Sequence, residues 1–491
     1  MRKKLSFSVS TPMFNVSKIK DLVLAGKKRQ VDKLLREASN SNQQENAQHI
    51  ASLAREFMAS GDAVTAIELA SSALELDPEN KIIALNLALW SASHSANPSH
   101  AKQIIEKWGH RFLDPLLKAS PPLRRDGRAS SSRLRIGYVS GDFNNHPTRF
   151  FIEPIFSHHD RAQFEIHAFM TGEPDVFTDR LRPLIEHWHD VQHLSDVDLY
   201  NLLRRHQIDV LVDLSGHTNG QRLEVFAMRA APVQMTWFGY LQTLGMQAMD
   251  WRITDWEIAP PGAERLYTEK LLRISSHYAF MPPVDMPAPP PLPAQQNGFV
   301  TMVCLNDNRK VSDASLMLWS RVLENNENAG LIIISAERKE EFANQYLRPR
   351  LREFGLREDR VSVVPRLNFQ SYLNLSSIAD FALDTTPVSG GTTTLIGASV
   401  GLPTLCLNRP ELGPLSSLSG ALMRHIGLDE CVAGNESQFI AIAGEWINNL
   451  STIEKLRCRC VQGLKSSRLL RHREITAELE RAFAQCVEEA D

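Results

Sequence analysis

Cysteine is scarce in this sequence, with six in 491 residues and no C-x-x-C pair, which excludes a disulfide framework and a thiolate zinc site. The pair Cys458 and Cys460 reads as two thiols on a surface helix. Long apolar runs are also missing. The opening MRKKLSFSVSTPMF lacks the apolar stretch of a signal peptide, and no segment approaches the roughly 20 apolar residues that cross a bilayer. The expectation is a cytoplasmic protein with no membrane partner. Excess charge of one sign is absent too: 54 Lys and Arg against 57 Asp and Glu give a net charge of -3, so nucleic acid is not an expected partner. No G-x-G-x-x-G follows the first apolar strand, which argues against a dehydrogenase, and no G-K-[ST] closes a phosphate loop.

What is present begins with a helical part. Residues 16 to 118 carry apolar residues at helical spacing. Within Gly61 to Asn80, the small residues Ala66, Ala70 and Ala73 admit a neighbouring helix, Leu69 and Leu76 supply burial, and Pro78 stops the helix. The pattern resembles the second helix of a tetratricopeptide repeat, and a second repeat begins near Lys81. Residues 1–130 are expected to form this short all-α domain.

From Arg133 the period changes. Buried-strand patterns at 134–139, 164–169, 208–214 and 233–238 alternate with helix-sized segments, the signature of a parallel doubly wound sheet over residues 131–283. A Pro-rich stretch at 284–298 reads as a semi-rigid linker without helix. A second α/β series follows over 299–491, with strands at 299–305, 331–335, 361–364, 379–384 and 403–407 and helices at its end. Two such lobes place a cleft at the carboxyl ends of their strands, where open parallel sheets bind ligands.

Four strand ends carry chemistry. Ser140 to Thr148 holds His146 on a Gly/Asn loop, an imidazole able to accept a proton near neutral pH. Asp213 to Gly220 holds His217 beside glycines and hydroxyls. Asp384 to Thr394 ends a strand, turns at Gly390 and Gly391, and starts a small-residue helix at Thr392 and Thr393, an arrangement suited to a phosphate group. Asn306 to Lys310 follows the first strand of the second lobe and supplies a cation for the same phosphates. Neither His loop carries ligand spacing for a metal, and neither contains an Asp-x-Asp pair. The two carboxylates at strand ends, Asp142 and Asp213, are the nearest thing to one.

The ordered segments RIGYVSGDFNNHPTRFF, DLSGHTNGQRLEVFAMRAAPVQMTWFGY, MDWRITD, NDNRKVSDASLMLW and LDTTPVSGGTTT resemble glycosyltransferase family 41, the O-GlcNAc transferases with their SPINDLY-like and bacterial relatives. The resemblance covers about residues 133 to 470. It implies a GT-B fold behind tetratricopeptide repeats and an inverting, metal-independent transfer of GlcNAc or another hexose from a UDP-sugar to Ser or Thr of acceptor proteins. No cofactor is implied beyond the donor. The helical domain is then a means of recruiting the acceptor protein.

The same resemblance implies roles for residues. His146 is the cleft histidine, His217 stands in the neighbouring loop, and Lys310 contacts the diphosphate with Asn306, Gly390, Gly391, Thr392 and Thr393. Tyr372 stacks on uracil. Three places depart from the family pattern: Ile396 where relatives carry a ribose-binding carboxylate, Gly413 to Ser417 where they carry histidine and arginine, and Gly239 to Thr243, which reads GYLQT. Two rivals follow: an N-glucosyltransferase using UDP-glucose on Asn, and a non-catalytic binding module.

Overall fold

A computed structural model describes residues 15–38, 42–119, 133–283, 285–286, 288–335 and 340–490. The chain divides into two units, Met1–Ser91 and Ala92–Asp491. The leader-free N-terminus read from residues 1–14 and the boundary expected at 130/131 fall outside the described residues.

In the first unit, Asp62 accepts the Thr65 amide at 3.0 Å and so caps the helix Ala63–Leu76. Gly61, at φ +87°, makes the turn from the preceding helix Gln43–Ser60. Ala66, Ala70, Ala73 and Leu69 are buried between the two helices, whereas Leu76 is only half-buried. A further helix runs over Lys81–Ser93.

The larger unit begins with the helix Pro98–Phe112. Its Gly109 lies so close to another backbone that a Cβ would come 2.0 Å from the Gly245 carbonyl oxygen. This helix, which the sequence assigns to the all-α domain, therefore packs within the larger unit.

Among the described residues two parallel sheets follow. The first has the order β3-β2-β1-β4-β5-β6-β7, with β1 Leu134–Ser140, β2 Phe164–Met170, β3 His187–Asp190, β4 Val210–Asp213, β5 Val233–Thr236, β6 Trp251–Thr254 and β7 Lys270–Arg273. The second has the order β10-β9-β8-β11-β12-β13, with β8 Val300–Cys304, β9 Ala329–Ile334, β10 Val361–Val364, β11 Phe381–Leu383, β12 Thr404–Leu407 and β13 Val432–Ala433. Each order reverses beside its first strand, between β1 and β4 and between β8 and β11. These reversals are the switch points where such sheets open a crevice.

The central strands are apolar on both faces because helices cover both. Ile136, Tyr138, Val210, Val212, Met302 and Phe381 are each fully buried.

Four strands escape the sequence pattern: β3, β6, β7 and β13. All four are short; β3, β7 and β13 are edge strands and β6 lies next to the edge, and β3 and β7 are largely half-buried, so their residues mix polar and apolar types. The Pro-rich stretch also differs from expectation. Pro293–Asn297 forms a helical turn with proline in its first position, where the missing amide costs nothing. The turn is tied to the second lobe by Ala294 N–H donating to Asp380 at 3.0 Å.

The C-terminal helix His472–Ala490 returns to the first lobe. Glu480 lies 2.9 Å from His159 Nδ1, and the Ser275 amide donates to Glu478 at 2.7 Å. Cys458 is exposed but Cys460 is buried, so the two are not both surface thiols: residues two apart on a helix do not share a face. No helix among the described residues is long and apolar enough to cross a membrane.

Candidate functional site

Asp384 organises the second switch point. It directly follows β11, is 3 % exposed, and its Oδ1 accepts from both Asn306 Nδ2 and the Gly390 amide at 2.8 Å. Asn306, just past β8, also donates to Thr385 Oγ1 at 2.8 Å and accepts from Thr393 Oγ1 at 2.7 Å. Its amide is thus spent on shaping the turn, which makes Asn306 a positioning residue.

The turn leads into the helix Thr392–Ser399 with Gly391 as its N-cap. Among the described residues the amides of Gly391, Thr392 and Thr393 meet no protein acceptor, so they face outward at the positive end of that helix. Glycine is required at 390, where a Cβ would fall within 2.9 Å of Thr394 Oγ1, Asn306 Oδ1 and Thr393 Oγ1. At Gly391 a Cβ would point at Leu418 Cδ2, 2.9 Å away, and not into the open space.

Lys310 completes this cradle. It ends the 3₁₀ turn Asn308–Lys310, which Asp307 caps by accepting the Arg309 amide at 3.0 Å. Its Nζ donates to the Ser389 carbonyl oxygen at 2.7 Å. Burial lowers its pKa, opposed by Asp384 and Asp307. The Ser389 amide and hydroxyl both donate to the Leu415 carbonyl at 2.8 Å, so the departing stretch Gly413 to Ser417 is the buttress of the turn. Ile396 is 5 % exposed and packs in the core.

In the first lobe, Gly141 and Asp213 stand at the ends of β1 and β4. Asp213 is buried, and its carboxylate accepts from the Ser215 and Gly216 amides and from Thr236 Oγ1 at 2.8–3.1 Å. It holds the loop that follows. His217 on that loop is 7 % exposed and donates from Nε2 to the Leu244 carbonyl at 3.0 Å. The rings of Trp108 and Tyr240 meet its faces edge-on at 5.3 Å. Nε2 is thus committed to a backbone carbonyl, and the two neighbouring rings fix how the imidazole is oriented.

His146 is different. Its Nδ1 lies 2.8 Å from Thr148 Oγ1 and 3.5 Å from Asp142 Oδ2, and its side chain is 46 % exposed. Nε2 is the nitrogen left for a ligand. Burial lowers the pKa of His146, opposed by the Asp142 charge, and burial raises that of Asp142. The imidazole is therefore neutral at neutral pH.

The two lobes meet beside these loops. Three residues past His146, the Arg149 guanidinium lies 3.7 Å from the Phe177 ring centre and 5.6 Å from that of Phe369, and Phe150 stacks on Phe369 at 6.1 Å. Phe369 starts the helical turn Phe369–Leu373, which carries Tyr372. The half-buried Tyr372 donates its hydroxyl to the Leu305 carbonyl at 3.4 Å, next to Asn306. These contacts join the helix that follows the His146 loop to the turn that carries Tyr372.

The sequence reading names Asp384 and Asp142 only as strand-end carboxylates, without the bonds they make to the turn and beside His146, and it does not name Trp108. A carboxylate closing an apolar strand directly before a Gly-Gly turn was the available signal for Asp384.

A model described as glycosyl transferase family 41 matches residues 96–282 and 294–479. "Probable UDP-N-acetylglucosamine--peptide N-acetylglucosaminyltransferase SPINDLY" of Solanum lycopersicum is 27% identical over 425 residues, 84% of this chain and 44% of its own length. The protein of the same name from Arabidopsis thaliana is 29% identical over 395 residues, 78% of this chain and 42% of its own. The chain thus spans less than half the length of these curated relatives. Among solved structures, a lysine-to-methionine variant of the O-GlcNAc transferase of Thermobaculum terrenum matches with a TM-score of 0.84 and 31% identity, covering 98% of this chain and 92% of that one.

Proposed function

Since the chain belongs to glycosyl transferase family 41, we propose that it transfers GlcNAc or another hexose from a UDP-sugar to a serine or threonine hydroxyl of an acceptor protein, with inversion and without a metal at the diphosphate. The observation that carries this reading is the cradle at the second switch point. The amides of Gly391, Thr392 and Thr393 open a helix N-terminus two residues past Ser389, the residue whose carbonyl holds the Lys310 Nζ. The negative charge that develops on a leaving nucleoside diphosphate as its bond to the sugar breaks would be stabilised there.

In this reading Lys310 shifts from the Ser389 carbonyl to a diphosphate oxygen, and Asn306 and Asp384 hold the turn still while it does. Tyr372 offers its ring to the base. His146, neutral and with Nε2 free, receives or positions the proton of the attacking hydroxyl, while Asp142 and Thr148 hold its other nitrogen. His217 keeps the opposing loop in place.

The test is mass spectrometry of proteins co-expressed with and without the chain. Added N-acetylhexosamine or hexose on Ser or Thr supports the reading, and modification confined to Asn would replace it with the N-glucosyl rival. No added mass, together with no calorimetric binding of UDP, would leave only a binding module.

A further inference from the structure

The strongest feature outside the cleft is a knot of histidines at the outer edge of the first sheet. Strand alternation puts Glu165, His167 and Phe169 of β2 on one face, and His187 and His189 of β3 on the same face, in the register His167 with His187 and Phe169 with His189. His206 reaches them as the last residue of the helix Asp196–His206. One nitrogen from each of His167, His189 and His206 lies within 4.8 Å of the others.

We propose that His167, His189 and His206 bind a borderline divalent transition metal of the Zn²⁺ class, with Glu165 as the carboxylate that orients His167. His167 Nδ1 and His189 Nε2 are 3.3 Å apart. Two imidazoles on one tetrahedral ion, each about 2.0–2.1 Å from it, stand at about that separation. The other nitrogen of His167 faces Glu165 Oε1 at 3.0 Å. An Nε2–H donated there leaves the Nδ1 lone pair directed at the cluster, the carboxylate–histidine–metal relay of known zinc sites.

Ring stacking alone explains part of this arrangement. His189 stacks on Phe169 at 4.7 Å and His187 on His167 at 4.4 Å, both nearly parallel. It does not explain His206, whose ring is tilted 57° and 52° from those of His167 and His189 while its nitrogen converges with theirs.

The site is separate from the cleft. His167 pairs with Gly137 in the middle of β1, whereas the cleft loop starts after Ser140. The ion would clamp edge strand β3 to the end of a helix, securing an otherwise open sheet edge.

The experiment uses the full chain without a histidine tag, stripped with a chelator and titrated with Zn²⁺. One saturable equivalent that raises the melting temperature is expected. Glu165→Gln should weaken binding about 10–100-fold, the double variant His189→Asn/His206→Asn should lose the saturable equivalent, and His187→Asn should retain it. The rise in melting temperature that Zn²⁺ adds over chelator, measured for each of the four proteins against itself, is the quantity compared. Should the double variant fail to fold, Co²⁺ titration of the unsubstituted chain decides, because a tetrahedral nitrogen site yields intense visible d–d bands. Absence of a saturable equivalent, binding unchanged in the double variant, or only the weak bands of six-coordinate Co²⁺ would overturn the proposal. None of these readouts depends on sugar transfer.

Discussion

His425 of the second lobe and Asp255 of the first are joined across the interlobe boundary, with Nε2 2.9 Å from Oδ2 and both side chains at most 10 % exposed. Asp255 also accepts the His277 amide on Oδ2 and the Glu257 and Ile258 amides on Oδ1 at 2.8–3.0 Å. Burial raises its pKa, but the His425 bond and nearby histidine charge outweigh that and leave it lowered.

The two halves of this pair are unequal, and denaturation should reveal it. Asp255→Ala strands three amides and His425 and should cost about 3–5 kcal/mol. His425→Ala leaves the carboxylate bonded to its amides and should cost about 1–3 kcal/mol. With the Asp255 pKa depressed on folding, its contribution is complete above about 3.9, the unfolded value, and is lost as pH falls through the lower folded value. Equal costs in urea titrations of the two variants would contradict this account of the boundary.

Lys310→Ala should lower turnover about 10²–10³-fold, the usual effect of removing one charge-stabilising donor. The fold should persist, because Lys310 is half-buried at a strand end and its one close partner is a carbonyl that the Ser389–Leu415 bonds already fix. Steady-state kinetics beside a melting curve measures both. Near-normal turnover would remove Lys310 from the leaving-group role.

The switch points were legible because β1, β4, β8 and β11 are mainly apolar runs that end in or are followed within two residues by Gly, Asp or Asn, and such runs belong at the centre of a doubly wound sheet. Edge strands carry no such signature. β3 reads HWHD, and only its partner across the ladder shows that two of its residues share a face with His167. His217 shows the opposite failing. A histidine in a glycine loop looks like His146 in sequence, and only the fold shows that its ring lies beside Trp108, far earlier in the chain, and that its Nε2 bonds the Leu244 carbonyl.

Substitutions in the Gly-Gly turn should separate binding from folding. Gly390→Ala puts a methyl among the Asn306, Thr393 and Thr394 oxygens and should weaken UDP binding by distorting the turn. Gly391→Val should weaken UDP binding and also cost stability, because its Cβ meets Leu418. Calorimetry with UDP, set against melting temperature, distinguishes the two. Unchanged UDP affinity in both variants would make the turn merely structural.

Transfer should have an acid limb set by His146. A neutral imidazole with a lowered pKa keeps its function through neutral pH and loses it only as pH falls through a value below the ordinary 6.5. His146→Asn should slow transfer about 10²–10⁴-fold and abolish that limb. A limb centred above 6.5, or one that survives in the variant, would assign the proton to another group.

Chelation supplies the last test, and it separates the two sites. In the cleft, Asp213 bonds two amides and a threonine, Asp384 Oδ1 bonds Asn306 and Gly390, and Asp142 Oδ2 lies 3.5 Å from His146 Nδ1. The charge on a leaving diphosphate is met instead by Lys310 and a helix N-terminus, so EDTA should leave the transfer rate unchanged. The histidine knot at the β2–β3 edge is a separate matter, and its ion should be removed by the same chelator with a fall in melting temperature. Loss of stability with retained initial rate is therefore the expected pattern. If chelation abolished transfer below the melting transition, and Mg²⁺ or Mn²⁺ but not Zn²⁺ restored it, the metal would have to lie on the diphosphate. Asp384 or Asp142 would then have to exchange a protein partner for it.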